Sequence, residues 1–468
     1  MDTTVVTTVA ERVRAQLPAA LDQLRGYLTI PAISCQPANH ADVRRLAEKI
    51  RDDLTALGMA RARVLDVTVE GDVAMPAVAA EWMGAGPGKP TVLIYGHLDL
   101  QPVGEPEWAT RPHEMVQKGD RVYARGVSDD MGGWLSHLAA MKAWFDVTGS
   151  LPCNVRLLIE GEEEIGSPYL ERFIDAYPDA FEADVMVLTD CENPAVDVPG
   201  LTVSLRGLLE VELTCDALQA DVHSGIWGGM APDPTLAIFQ LVNRLIDGDG
   251  RMKVARVPVD EARKQAGRLV PLGPDTVREG AHLLDDVSPL PERDRSAAEW
   301  VWWQPAVTVL ATSIPPVEKK KNAIRRRCSA TLSVRLAPGQ TGDEMLAALR
   351  ETLLVDPPQG VRVTLEAKPG WGQSWLYRPQ GPAFEAADRA YERAWGRKLV
   401  QIGIGGTIPF VAMFGRRFGD LPLILNGVLD PLSTAHGPNE SLHLGVFEKM
   451  LVTNVWLYAE LADAVKVK

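Results

Sequence analysis

The stretch Thr91-Val-Leu-Ile-Tyr-Gly-His97-Leu-Asp99 decides the fold. Five uncharged residues rich in branched and aromatic side chains read as a strand buried on both faces, the kind found in parallel sheets. The run ends on Gly96, and polar residues follow. In open α/β sheets ligands bind in the crevice beyond the carboxyl ends of the strands, so His97 and Asp99 are expected at the rim of a site. A histidine placed there can give one ring nitrogen to a metal while a nearby carboxylate holds the other N–H and fixes the tautomer. A lone His-x-Asp equally describes a surface histidine beside a turn aspartate, and the rest of the chain has to separate the two.

Working outward, residues 3–29 carry apolar side chains at helical spacing (Val9, Val13, Leu17, Leu21, Leu24, Leu28), with Pro18 suited to the first turn of a second helix. Residues 41–57 repeat the pattern. Strands are expected at 62–67 and 77–82, and a buried helix at 134–145, capped by Asp129 or Asp130. The apolar runs 155–159 and 185–188 each end in acidic residues, so strand followed by acid recurs. From residue 201 the texture changes. Segments 209–215, 306–311 and 330–336 alternate like half-exposed antiparallel strands, with a helix at 234–246 and a polar stretch at 249–298. Helices return at 383–395 and 447–465, with a strand at 423–425. The expected architecture is therefore α/β: a body from 1–202 and 376–468 with an inserted α+β domain over 203–375.

The chain has 468 residues, a length that favours two domains, and a net charge of −14 spread along its length. That charge speaks against nucleic acid as a partner. The five cysteines are scattered, with no Cys-x-x-Cys, so neither a disulfide framework nor a thiolate zinc site is expected. No apolar run approaches the roughly 20 residues of a membrane span, and residues 1–17 lack a signal-peptide core. A cytoplasmic location with no membrane partner is the expectation.

The acids and histidines at predicted strand ends are His97, Asp99, Asp129, Glu163, Glu164, Asp190 and, near the end, His436. Mixed nitrogen and oxygen donors of this kind bind zinc or manganese, and carboxylates can bridge two ions. Singly, Asp129 also fits a helix cap, Asp190 a turn, and Glu162-Glu163-Glu164 a solvated acidic run. Jointly these alternatives weaken, because nearly every member follows a strand on the same side. There is no His-Glu-x-x-His and no Gly-x-Ser-x-Gly. Gly403-Ile-Gly405-Gly406 lacks the third glycine of a dinucleotide loop and follows no predicted strand. His137 reads as a packed helix residue, and Trp302, Trp303, Trp371 and Trp375 as core of the inserted domain or dimer contacts.

Five motifs resemble the co-catalytic metallopeptidases that include carnosinase, PepV-like dipeptidases, carboxypeptidase G and acetylornithine deacetylase. They are Tyr95-Gly-His-Leu-Asp99, Arg125-Gly-Val-Ser-Asp-Asp-Met-Gly132, Glu160-Gly-Glu-Glu-Glu-Ile-Gly-Ser167, Asp221-Val-His-Ser-Gly225 and Ala435-His-Gly-Pro-Asn-Glu440. They occur in the family's order, and the carnosinase-like branch is the nearest in form. The resemblance implies a phosphorylase/hydrolase-like mixed sheet flanked by helices, with the insert as a lid and dimerisation domain. It also implies two divalent ions per chain, zinc first and manganese or cobalt as alternatives. His97 and Asp190 would hold one ion, Glu164 and His436 the other, and Asp129 would lie between them, followed by a cis peptide to Asp130.

By the same resemblance Asp99 supports His97, and Glu163 is the general base for water attacking an amide carbonyl. His223, which on its own fits a turn histidine, becomes the lid residue that reaches the partner subunit's site in a homodimer. Arg335, otherwise a plain strand arginine, would pair with a substrate carboxylate. Gly406 and Thr407, in Gly405-Gly-Thr-Ile-Pro409, and Asn322 would help hold that group. Two departures bear on the substrate, because Met131 stands where dipeptidase-like members have lysine and Ile404 where many have glutamate. The implied substrate is a dipeptide, with an N-acyl or N-carbamoyl amino acid as the alternative and a non-catalytic binding protein on the same fold as the remote one. Arg325 stands where the family has proline after Asn322-Ala-Ile.

Overall fold

The computed structural model describes residues 1–467 except 70, 105, 106, 371, 407, 408 and 420, and, of residues 72, 409, 410, 412 and 416, the backbone only. Six strands form the central sheet, in the order Ala60–Leu65, Ala77–Trp82, Asn154–Glu160, Thr91–His97, Val185–Leu188, Leu423–Leu425. The last four run parallel, and the first two pair antiparallel at one edge, so the sheet is mixed.

All seven residues of Thr91–His97 are buried. Val92 and Ile94 face the helices Thr3–Ala15, His40–Leu57, Met131–Thr148 and Leu444–Ala464, while Leu93 and Tyr95 face a second core containing Phe173, Phe414 and Leu423. This is the two-residue alternation of a strand covered on both sides. Each such side chain stabilises by roughly 1.5–3 kcal/mol when buried, which fixes the strand in place and leaves the polar residues after Gly96 at its end.

Met131–Thr148 is buried around most of its circumference, as a largely apolar sequence with only Lys142 and Asp146 charged requires. Asp130 occupies its N-cap position, but its carboxylate makes no cap bond. It turns inward and accepts from Thr189 Oγ1 (2.7 Å) and His97 N (3.3 Å), so the expected aspartate cap gives way to a bond between strand ends.

The inserted segment builds an antiparallel sheet in the order Ala306–Thr312, Arg327–Leu336, Gly207–Asp216, Arg362–Ala367. Its alternate residues Leu209, Val211, Leu213, Leu332 and Val334 pack against the helices Pro234–Leu245 and Gly342–Leu353 in a core of their own. The polar stretch 249–298 contains the short helices Glu261–Arg268 and Pro274–Gly280, which charge and brevity hide from periodicity.

Two further expectations change. Val400–Ile404 is a strand, parallel to Gly200–Leu205, so Gly403-Ile-Gly405-Gly406 does follow one. Its glycine obscures it in sequence, yet is required, since a Cβ on Gly403 would lie 2.7 Å from Ser204 Oγ and from Trp302 Cβ. Trp375 belongs to the body core beside Leu93 and Phe414 and stacks on Tyr377, whereas Trp302 and Trp303 pack on Ile402. Trp371 lies outside the described residues. The expected division at 202/203 falls inside Gly200–Leu205.

Candidate metal centre

Register places the site. His97 is opposite Glu160 and Tyr95 opposite Leu188, so the parallel strands end level and release His97–Asp99, Glu160–Glu164 and Thr189–Asp190 at one rim. Gly96 permits this crowding, because a Cβ there would lie 2.4 Å from an Asp130 carboxylate oxygen.

Asp129 sits between the two histidines, with Oδ1 3.0 Å from His97 Nε2 and Oδ2 3.1 Å from His436 Nε2. Glu164 Oε2 is also 3.1 Å from His436 Nε2, and Asp190 Oδ2 is 3.9 Å from His97 Nε2. Donor atoms of His97, Asp129 and Glu164 form one close group, and those of His97, Glu163 and Asp190 another, each within 4.8 Å. Asp129 and Asp130 are joined by a cis peptide. His97 is fully buried, whereas the His436 side chain is 58% exposed and forms the open lip.

The sequence reading gives Asp99 the His97 N–H, and the structure divides that task. Nδ1 donates to the Asp99 carbonyl oxygen at 3.1 Å, nearer than the carboxylate at 3.5 Å. The carboxylate accepts the backbone N–H groups of Glu163 and Glu164, both at 3.1 Å, and so holds the turn that presents both glutamates.

Crowding shows in the protonation of the site. Burial and then neighbouring charge raise the pKa of Glu163 and Asp130, and lift Asp190 to about 7. Burial also lifts Glu160 to about 8. Burial works against charge on His97, yet its bonds to Asp129 and Asp99 raise its pKa, and bonds to Asp129 and Glu164 push His436 up to about 11. The acids thus compete for positive charge. Two imidazoles and several carboxylates without thiolate fit a divalent cation of the zinc or manganese type, which relieves that competition.

Sequence reasoning gave no role to Glu440 or Arg125, although both stand inside quoted motifs. Glu440 is fully buried and accepts from Arg125 Nη1 (2.9 Å), Gly126 N (2.8 Å), Ser128 N (3.0 Å), Ser128 Oγ (3.1 Å) and Asp129 N (3.1 Å). Arg125 in turn donates to the carbonyls of His436 and Gly437 (both 3.2 Å). This pair ties the Asp129 loop to the His436 loop. Gln101 Nε2 donates to Glu164 Oε2 at 2.8 Å.

The remaining residues lie on other elements. Arg335 is half-buried opposite Leu208 and Ala306, and its neighbour Arg206 donates through Nε to the Gly405 carbonyl (2.9 Å), beside Gly406. Burial and then Arg335 hold Arg206 down at about 10. Thr407 lies outside the described residues. His223 and Asn322 meet each other: His223 pairs with Ala323, and Asn322 accepts from Ser224 N at 3.1 Å. Among the described residues no hydrogen bond or ion pair joins them to the carboxylate cluster. His137 is packed, with Nδ1 2.9 Å from the Tyr458 hydroxyl.

A rim of this composition on a mixed sheet places the molecule among metal-dependent hydrolases. The model of peptidase family M20/M25/M40 matches residues 93–463, and the chain belongs to that family, as a metal-dependent peptidase. It is 33% identical over 356 residues to the cysteinylglycine-S-conjugate dipeptidase of Corynebacterium striatum, covering 75% of this chain and 77% of that protein. With the Beta-Ala-His dipeptidase of Homo sapiens it shares 26% over 414 residues, 84% of this chain and 80% of the other. The crystal structure of human carnosine dipeptidase 1 superposes with a TM-score of 0.79 at 23% identity, over 98% of this chain and 99% of that one, a likeness of fold.

Proposed function

We propose that the protein cleaves the amide bond of a dipeptide or similar small substrate with a free carboxylate. The observation that carries this is the gathering of His97, Asp129, Glu163, Glu164, Asp190 and His436 at one rim, where His97 joins two groups of donor atoms, each within 4.8 Å, and His436 lies 3.1 Å from both Asp129 and Glu164. His97 and Asp190 would hold one divalent ion, Glu164 and His436 a second, and Asp129 would serve both, zinc being first choice with manganese or cobalt as alternatives. Such ions supply Lewis acidity, which brings water towards a pKa of ~7. Glu163 takes the proton of the attacking water and delivers it to the leaving amine. Asp99 holds Glu163 and Glu164 in place through their backbone amides.

The body built from both ends of the chain, expected as 1–202 and 376–468, is the catalytic part and the insert expected at 203–375 the lid, with the paired strands Gly200–Leu205 and Trp375–Leu376 counted to the body. Arg335, Gly406 and Thr407 bind the substrate carboxylate; Asn322 and His223, which lie side by side, reach the site together from a second subunit, Asn322 helping to hold the carboxylate and His223 donating to the oxyanion. A homodimer is supported by the exposed apolar side chains that follow His223 in the chain, Ile226, Trp227 and Met230, the last exposed by 88%. Mixed His223→Ala and Glu163→Gln subunits should recover turnover that each lacks alone; no recovery after verified exchange removes His223 from the shared site. A reducing, cytoplasmic setting accords with five free cysteines, four of them buried. No helix among the described residues is long and apolar enough to cross a membrane.

The second reading, hydrolysis of an N-acyl or N-carbamoyl amino acid, is favoured by Ile404, which offers no charge where many dipeptidases have glutamate; Met131, where dipeptidase-like members have lysine, is packed in the body core and favours neither reading. The experiment is metal analysis of protein purified without chelator, followed by a panel of dipeptides beside N-acetyl and N-carbamoyl amino acids. Dipeptide turnover with metal bound supports the first reading, and turnover of acyl substrates alone replaces it with the second.

A further inference from the structure

In a chain of net charge −14, residues 319–327 hold six cations in nine positions: Lys319, Lys320, Lys321, Arg325, Arg326 and Arg327. Five of the six are exposed and Arg325 is partly so. The run is built around the short strand Ala323–Ile324, which pairs antiparallel with Val222–His223, so the cations flank the partner of the strand that carries His223. Ser224 N bonds to Asn322 O at 3.1 Å, and Asp221 Oδ1 accepts from Arg326 N at 2.9 Å, which fixes the limb against the histidine. Arg327 has a carboxylate neighbour, Asp216, at 3.5 Å, shared with Arg362. The side chains of Lys319, Lys320, Lys321, Arg325 and Arg326 have no ion pair among the described residues.

Burial does not explain these charges, and neither does pairing within the fold. They stand beside two residues assigned above to substrate and oxyanion, and Arg325 replaces an uncharged proline of the family motif. We propose that this basic collar selects anionic substrates: dipeptides with an acidic side chain, carrying a carboxylate beyond the one met by Arg335 and the glycine loop. The proposal rests on the reading of His223 and Asn322 as parts of the substrate site. Clustered cations beside a cleft raise the local concentration of anions, and the effect falls as salt shortens the screening length to ~3 Å at 1 M. Its signature is in binding and in KM, with kcat little changed.

The experiment compares alanyl-glutamate and glutamyl-alanine with alanyl-alanine on the metal-loaded protein. Binding is measured by calorimetry on Glu163→Gln protein, so it does not depend on turnover; turnover is measured separately on the wild type. At least one acidic dipeptide is expected to bind about tenfold more tightly than alanyl-alanine in low salt. The ratio should fall towards unity in 0.5 M salt (a roughly 4 Å screening length) and in Lys319→Gln/Lys320→Gln/Lys321→Gln protein. Equal affinities in low salt, or a preference untouched by both salt and the triple substitution, would overturn the collar. An acidic preference in binding with no hydrolysis of any dipeptide would leave the collar standing and remove the dipeptidase reading instead.

Discussion

Glu440→Gln changes one atom of a fully buried carboxylate, and its consequences follow from the donors around it. Oε1 accepts from Ser128 N, Ser128 Oγ and Asp129 N, and Oε2 from Arg125 Nη1 and Gly126 N. A glutamine can offer its oxygen to only one of these sets, and its NH2 then faces N–H donors. With the oxygen kept towards Ser128 and Asp129, buried Arg125 loses its carboxylate. Removing one partner of a buried ion pair costs about 3–5 kcal/mol. Arg125 Nη2 keeps three carbonyl acceptors, at 3.1, 3.2 and 3.2 Å, which places the loss near the lower bound, ~3 kcal/mol. A domain stable by about 5–15 kcal/mol still folds. Urea unfolding of the metal-free protein should show the loss as a lower midpoint at unchanged slope. Because the same lock orients Asp129 and His436, zinc affinity measured against a competing chelator should fall about 10–100-fold. A stability loss below ~1 kcal/mol with zinc affinity within about twofold would refute the view that Glu440 and Arg125 position the site.

Glu163→Gln should keep its metal content and lose at least about a hundredfold in kcat; turnover within tenfold of wild type would exclude it as the base. Zinc at 100 times its Kd should raise the urea stability of the chelator-treated protein by about 2.7 kcal/mol, and an unmoved midpoint would mean that no site forms. His137 is buried, and burial holds its pKa at about 3 against 6.5 when exposed, so the unfolded chain takes up the proton first. Its contribution to stability is complete above pH 6.5 and declines towards pH 3, by up to about 1.4 kcal/mol per pH unit; His137→Phe should flatten that acid limb, and an identical limb in both proteins would refute the assignment.

The central sheet of the body was legible because its strands carry their own proof: 77–82, 155–159, 185–188 and 423–425 are short, apolar and punctuated, and each lies where the sequence puts it within a residue or two. The insert was legible for the opposite reason, since alternation such as that of Arg327–Leu336 belongs to a sheet covered on one face. Strand Val400–Ile404 escaped because two of the residues around its end are glycines chosen for close packing and not for strand propensity. At the site, strand-end position marked His97, Asp99 and Asp190, and motif resemblance supplied the roles. Glu440 escaped because its partners at 125–129 are more than 300 residues away, and nothing in local pattern shows that a carboxylate will spend both oxygens on distant backbone amides.

That lock also has an electrostatic reason. The rim assembles Asp129, Asp130, Glu160, Glu163, Glu164 and Asp190 around two imidazoles, and burial with mutual repulsion raises the pKa of four of these acids. Gathering them costs free energy that the apolar faces of the sheet must offset, and repulsion alone would spread the loops that carry them. A divalent cation reverses the sign of that cost, so metal binding and folding of the rim are linked. A lock that works before any ion arrives has to be neutral towards the acids and anchored elsewhere. The Arg125–Glu440 pair comes near both conditions: the guanidinium offsets the Glu440 charge, which still feels Asp129, and apart from Ser128 Oγ the bonds it makes outside itself go to backbone atoms, so Asp129 Oδ2 and His436 Nε2 are held 3.1 Å apart with neither side chain used by the lock.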